Sequence, residues 1–368
     1  MTRAHIHRRQ VLQWTLCALS VGAGLVSAEQ ATSVQGGHAH GRRKMIIRAD
    51  DVGFTEVCNL GAFEAIQKGV VTAADVMLDC PGTEDALRRL KEFPWISVGW
   101  HMHMWGTPVS APASVPTLIE QEGPFQGRFR TDVRTAKDVS EAEAVLELRA
   151  QLARCHRVLG RFPDTAGSND PSTPWDRAVR LVLDEHKIPY NFMAKAPADE
   201  ATAQKIARAQ SAGEEWAQSY PKGPGSWRDA DPRWKDRNIV SLAPTTAYTD
   251  LLTDSVTSVE QNYDPVRYYT EDRAGIFKYP QEVIVEQSWH PGWVDYFVYR
   301  TGERANRARA RQFVIGRAQD VAALCDERLK NWIRENGIEL VNGRDALYGT
   351  DEYQKHLRDI GSNLAVPV

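Results

Sequence analysis

Cysteine is scarce in this 368-residue chain. The five residues are Cys17, Cys58, Cys80, Cys155 and Cys325; their wide spacing offers no CxxC zinc knuckle, and the chain is too long for a disulfide miniprotein. Buried thiols are the expectation for the last four. An excess of one charge is also missing. The chain sets 45 Lys and Arg against 48 Asp and Glu, which excludes a binder driven by phosphate neutralisation. The apolar run at 11–26 is short and interrupted by Gly22 and Gly24, so a membrane span is not expected there. No internal repeat or low-complexity tract is apparent. What is present is an ordinary globular composition, 42% hydrophobic and 25% charged, enough for a sizeable core and incompatible with a fibrous or wholly disordered chain. At this length two domains or one α/β barrel remain open.

Arg8 and Arg9 precede the apolar run, and Val26-Ser27-Ala28 supplies small residues for cleavage. Residues 1–28 therefore read as an export signal, and the paired arginines resemble the twin-arginine type. An ordinary secretory signal is the alternative. Either route implies a periplasmic or extracellular location. Loss of Arg3, Arg8 and Arg9 would take the formal charge from −3 to −6, with no electrostatic reason to seek nucleic acid or anionic lipid. No nucleic-acid partner is expected, and no stable membrane insertion once the signal is removed.

Residues 29–43, with Gly36-Gly37, His38 and His40, read as a flexible leader before a domain spanning 44–368. From Met45 onwards short apolar runs alternate with amphipathic stretches, the pattern of β/α units. Strands are expected at 45–49, 70–78, 96–102, 164–168, 190–193, 238–242, 282–289 and 338–341. A helix is expected at 140–159, where Ala144, Val145, Leu148 and Leu152 recur at helical spacing. Another is expected at about 304–336, stopped by Gly337. The fold class expected is α/β, a single distorted (β/α) barrel. The Pro- and Gly-rich stretch 107–138 reads as an excursion above the barrel mouth, and 196–237 as an insertion.

Chemistry-bearing residues fall at three strand ends. The first strand runs into Arg48-Ala49-Asp50-Asp51-Val52-Gly53. Two adjacent carboxylates are costly to ionise unless a cation or hydrogen bonds hold them. One could bind a metal while the other acts as base; an N-cap turn is the structural alternative. The third strand ends Gly99-Trp100-His101-Met102-His103, where His101 and His103 share parity and can face one side of the sheet. Alternate imidazoles suit Zn²⁺ and related ions, though here His103 reads as a packed neighbour of one true ligand. The seventh strand carries Glu286, Ser288 and His290 on one face, and Pro291-Gly292 turns the chain after the histidine. A barrel would bring these three ends together.

In this order the pieces resemble the YdjC-like carbohydrate deacetylase family, of the ChbG/HpnK type. Ala49-Asp50-Asp51-Val52-Gly53 with Asn59-Leu60-Gly61 is similar to the family's opening, and Gly99-Trp100-His101 to its G-x-H strand. The second strand, the loop from Pro108 to Phe125, Glu286 with His290-Pro291-Gly292, and the closing stretch to Leu340 extend the resemblance over roughly residues 45–348. It implies a hydrolase removing N-acetyl groups from amino sugars or oligosaccharides with one divalent ion, Mg²⁺, Zn²⁺ or Mn²⁺. It further implies Asp51 and His101 as metal ligands, Asp50 as base and His290 as acid. The family's histidine-rich fourth-strand motif is missing, since 162–171 contains no histidine, and alignment on Pro163 places Asp170 where that ligand would sit. Trp100, His103, Trp105, Glu286 and Trp293 are the candidates for substrate binding; core packing is the other reading of the tryptophans. Two competing functions remain: an exported glycan-binding protein on a decayed barrel, and a metal hydrolase of another ester or amide.

Replacing Arg8 and Arg9 together with lysine should abolish export by the twin-arginine route. Cell fractionation that finds the double variant exported as before would leave ordinary secretion as the route.

Overall fold

The computed structural model describes residues 41–167, 172–195, 207–208, 211, 230–242, 264–272, 275–306 and 310–367. The expected signal and most of the leader, and most of the insertion at 196–237, lie outside them. Strand β1 (Lys44–Val52) shows why the sheet is central. Met45, Ile47 and Ala49 pack with the helix-side core while Ile46 joins a smaller cluster with Phe192, Ile239 and Val341. A parallel strand covered on both faces reads as a nearly continuous apolar run, and this one does.

Seven more strands follow: β2 (Ala73–Val76), β3 (Ser97–Trp100), β4 (Thr165–Ala166), β5 (Ala194–Lys195), β6 (Ile239–Ser241), β7 (Ile284–Trp289) and β8 (Glu339–Leu340). All pair in parallel, in the order β4-β3-β2-β1-β7-β6-β5, with β8 beside the first residues of β1. Parallel neighbours require crossovers, supplied here by α1 (Glu56–Lys68), α2 (Thr83–Leu90), α3 (Glu141–Leu159), α4 (Pro174–Glu185), α5 (Pro265–Thr270), α6 (Tyr296–Asn306), α7 (Ala310–Cys325) and α8 (Glu327–Glu335). Two short helices, α9 (Gly343–Tyr348) and α10 (Glu352–Asp359), close the chain. The sheet curls, and beyond its β4 edge one isolated bridge joins Ala166 to Tyr190, in the segment before β5, where the Ala166 N–H donates to the Pro189 carbonyl at 2.9 Å. The result is the expected distorted barrel, in the form of a curled half-barrel ringed by helices. Among the described residues, no helix is long and apolar enough to cross a membrane.

Two elements depart from expectation. The strand expected at 190–193 contributes only the Tyr190 bridge, because Asn191 takes a left-handed conformation (φ 50°) and β5 begins three residues later. The helix expected at 304–336 is three helices. Asp326 separates the last two and caps α8 by accepting from the Arg328 N–H. Gly337, at φ 61°, lies just past the end of α8, where a stop is expected. The helix expected at 140–159 is α3, with Ser140 accepting from the Glu143 N–H and Gly160 left-handed at its end.

The excursion after β3 is tied down by three acids, of which Glu147 and Asp79 are buried. Glu147 of α3 accepts from the Val109 and Ser110 N–H groups at 2.9 and 2.8 Å, and Glu143 from Thr117 at 2.7 Å. Asp79, just after β2, accepts from the Gly106 N–H at 2.6 Å. A side chain at 106 would collide with the Asp79 carbonyl, since its Cβ would lie 1.9 Å away. These pins fix the segment that carries His103 and Trp105.

Burial pushes the Asp79 carboxyl up from 3.8 to about 6, against the opposing hydrogen bond from Gly106. A raised acid stabilises the fold below pH 3.8, and that contribution is lost as pH rises through about 6. Asp79→Asn keeps an acceptor for Gly106 and cannot ionise. Urea denaturation should therefore show the wild type losing up to about 3 kcal/mol relative to the variant between pH 4 and 7. Parallel pH profiles for the two proteins would rule out an ionising Asp79.

Candidate metal and catalytic site

The end of β1 resolves which of its two acids reaches the mouth. Its register with β2 is irregular between Ala49 and Val52, and Asp51 sits in the left-handed region at φ 59°. That conformation is uncommon for a non-glycine residue, costs on the order of 1–3 kcal/mol and gathers at functional sites. Here it undoes strict alternation, so both carboxylates turn towards the carboxyl ends of the strands. The following turn is held by Asn59 of α1. Its side chain accepts from the Gly53 N–H at 2.8 Å and donates to the Gly82 carbonyl and to Asp85 at 2.9 Å.

Beneath them the barrel interior is polar. Arg48 Nε lies 2.6 Å from Asp50 Oδ1 and 3.4 Å from Asp75 Oδ2, and its Nη1 lies 3.3 Å from Glu286 Oε1. Gly99 on β3 makes room for Asp75; a Cβ there would lie 1.9 Å from Asp75 Oδ1. The glycine of the G-x-H stretch is thus a packing requirement.

Past β3, His101 and His103 lie on one side of the extended chain, and Met104 (φ 58°) then turns it. His101 Nε2 lies 2.9 Å from Asp51 Oδ1, yet the pair misses hydrogen-bond direction, leaving both buried atoms without a hydrogen bond. His103 Nε2 lies 3.9 Å from the same oxygen. The donor atoms of Asp51, His101 and His103 all fall within 4.8 Å of one another. One carboxylate and two imidazoles form a donor set suited to a divalent transition ion, and the orphaned atoms fit that use.

At the end of β7, His290 reaches the same mouth, with Nε2 3.9 Å from Asp50 Oδ2. Its own N–H donates to Asp320 of α7 at 3.0 Å, and the Gly292 N–H donates to the Arg317 carbonyl at 3.3 Å. Close approach of this turn to α1 needs glycine on both sides. A Cβ on Gly61 would lie 2.8 Å from Gly292 backbone, and one on Gly292 3.1 Å from Cys58 Sγ. The Arg317 guanidinium donates to Asp51 Oδ2 with both side chains buried.

Charge follows from these contacts. Burial alone would raise both acids. Arg317 and His101 hold Asp51 well below the usual carboxylate range, and Arg48, His101 and His290 lower Asp50. Burial pushes Asp75 up to about 6, with Arg48 opposing and Asp50 adding to the rise. Burial lowers His290 to about 4, so it is neutral at pH 7; burial and then His101 lower His103. In His101 the nearby Asp50 and Asp51 overcome burial and raise the imidazole.

The structure therefore brings together Asp50, Asp51, His101, His103 and His290. Glu286 lies one layer deeper, buried against Arg48. Trp105 is half-buried and stacks on His103 at 4.3 Å, while Trp293 is half-buried in the turn after His290. Trp100 is buried on the helix side of the sheet, where its Nε1 donates to Gln151 at 3.3 Å; it has the core-packing role. Asp170 lies outside the described residues. Sequence reasoning gave no role to Arg48, Asp75 or Arg317. The first two carried a readable signal, charges at inward-facing positions of apolar strands; Arg317, on a distant helix, carried none.

A family model described as YdjC-like protein matches residues 44–335. The chain belongs to the YdjC-like family. A carbohydrate deacetylase of Brevibacillus brevis is 41% identical over 112 residues, 30% of this chain and 43% of that protein. Carbohydrate deacetylase 2 of Listeria innocua is 23% identical over 304 residues, 82% of this chain and 98% of the relative. A chitooligosaccharide deacetylase of Serratia marcescens is 31% identical over 120 residues, 32% of this chain and 46% of that protein. Against the first and third of these the match thus spans less than half of the relative's length. Among solved structures, a putative cellobiose-phosphate cleavage protein from Enterococcus faecalis aligns with TM-score 0.52 and 18% identity, over 82% of this chain and 98% of that one, which shows the shared fold.

Within this YdjC-like site, Gly99→Ala should destabilise the protein by about 1–3 kcal/mol through overpacking against Asp75. Adding Asp75→Ala should recover part of that loss in a urea denaturation cycle. Strict additivity of the two changes would show that Gly99 and Asp75 are not in contact.

Proposed function

We propose that this protein is a carbohydrate deacetylase that removes N-acetyl groups from amino sugars or oligosaccharides, using one divalent ion held by Asp51 and His101. The observation that supports it most is the pairing of an ionised carboxylate with a neutral imidazole, Asp50 and His290, beside a convergent carboxylate–imidazole donor set at three strand ends. Relatives named carbohydrate or chitooligosaccharide deacetylase support the same reaction and substrate class. A divalent ion at that donor set would polarise the acetyl carbonyl and acidify a water molecule.

The protein's own groups then move the protons. Arg48 grips Asp50 through two hydrogen bonds, 2.6 Å to Oδ1 and 3.0 Å to Oδ2, which fixes the carboxylate's plane and keeps it ionised as the base. His290 enters neutral and cannot donate at once. It becomes the acid only after receiving a proton, which Asp50, 3.9 Å away, can pass on once it has taken one from the attacking water. Protonating the amine matters because an amide nitrogen leaves poorly as an anion. Trp105, stacked on His103, offers an aromatic edge to a sugar face. Export ahead of this activity, through the Arg8–Arg9 signal, belongs to the same proposal.

Acetate release from a panel of N-acetylated amino sugars tests the reading on metal-replete protein. Asp50→Asn should keep fold and metal but lose about 10²–10⁴ in turnover. His290→Ala should lose less on substrates with an activated leaving amine than on unactivated ones; equal losses would remove His290 from the acid role. A metal-replete wild type that releases no acetate from any sugar in the panel would pass the function to the glycan-binding reading or to hydrolysis of another ester or amide.

A further inference from the structure

We infer that His103 completes the metal-binding set of this chain, so that the ion is held by β1 and the end of β3 through Asp51, His101 and His103, with no ligand from β4. This deepens the proposed function and shares with it the ion and the ligands Asp51 and His101, but not the reaction.

His103 Nε2 faces the same Asp51 oxygen that His101 approaches, at 3.9 Å, and the three donor atoms lie within 4.8 Å of one another. A one-residue shift of parity would have sent His103 to the helix side, as it sends Met102, which packs in the core. The imidazole is also held in place. Its ring stacks on Trp105 at 4.3 Å and 17°, and meets His101 edge-on at 4.3 Å and 82°. Trp105 in turn lies next to Gly106, whose backbone is pinned by Asp79. A solvated polar neighbour would need none of this support.

Among the described residues one other donor set converges, Asp50, Asp75 and His101, and there Arg48 already lies against both carboxylates, 2.6 Å from Asp50 and 3.4 Å from Asp75. Residues 162–171 contain no histidine. Asp164, just before β4, is engaged at the far end of the strand, accepting from the Val98 N–H at 2.7 Å and from Arg161 and Arg344. Asp51 Oδ2 is taken by Arg317, so Asp51 has one oxygen, Oδ1, for the ion. A single carboxylate oxygen and one imidazole make a poor site, and the second imidazole supplies what is short. Asp170 is the remaining rival.

The test is metal binding by the full chain, read by titration calorimetry with Zn²⁺ and by the visible spectrum with Co²⁺. His103→Phe keeps a ring to stack on Trp105 and lacks any donor nitrogen, so a wild-type melting temperature would separate lost ligation from lost folding. The expected result is one ion per wild-type chain, at least tenfold weaker binding with a changed Co²⁺ spectrum for His103→Phe and His103→Ala, and wild-type binding for Asp170→Ala. Wild-type affinity and spectrum in His103→Phe, or their loss in Asp170→Ala alone, would overturn the inference, as would a wild type that takes up no ion. Loss of metal in His103→Phe from a protein that releases no acetate would still uphold His103 as ligand while the deacetylase reading fell.

Discussion

Four carboxylates, Asp50, Asp51, Asp75 and Glu286, are drawn into or just below the barrel mouth with little or no access to water, and two guanidiniums make that arrangement possible. Anions crowded in low dielectric protonate unless a cation is close. Arg48 touches three of them and Arg317 the fourth. The distribution is uneven, and that matters: Asp50 and Asp51 receive the shortest contacts and stay ionised, while Asp75, more loosely held, is pushed up to about 6. Removing either arginine would leave buried charge uncompensated, typically at about 3–5 kcal/mol. Glu286, expected from sequence as a substrate contact, belongs to this charge balance.

The backbone is shaped around the same demand. A regular β1 would place Asp50 and Asp51 on opposite faces, one at the mouth and one against the helices. The left-handed Asp51 and the irregular register bring both to one end at a local cost in conformational energy. Asn59 holds the turn that follows, and paired glycines let the His290 turn settle on α1. The N-x-G stretch after the two acids is therefore part of the site's construction, although neither Asn59 nor Gly61 bears chemistry.

Much of this was legible in the chain. Long apolar strands flanked by turn residues, such as β1 and β7, and the capped helix α3 stand where periodicity puts them, because pattern and burial agree. Legibility failed where a single residue decided the outcome. Asn191 delays β5 by its backbone conformation, and Asp326 divides an apparently continuous helix by capping the next one. Trp100 looked equally suited to a sugar or a core, and only strand parity against the folded sheet assigns it to the core. Parity likewise put His101 and His103 on one side, but no local signal told how near Asp51 would come, since that depends on a bulge. Arg317 was invisible because its partner lies 266 residues away.

The charge on the proposed donor set bears on which ion it would take. Asp51 already pairs with Arg317, so carboxylate and guanidinium together offer little net negative charge to a cation. Affinity would then rest mainly on imidazole nitrogens. Mg²⁺ prefers oxygen ligands and keeps much of its water, and gains little from such a set; Zn²⁺ and its neighbours bind imidazole well. The same near-neutrality leaves the ion's charge largely uncancelled by its ligands, and an oxyanion forming on the substrate is what that charge would meet. Under this reading the guanidinium on Asp51 weakens the hold on the ion and strengthens its pull on the acetyl oxygen, and the two buried arginines serve different ends: Arg48 steadies the base, and Arg317 tempers the ligand.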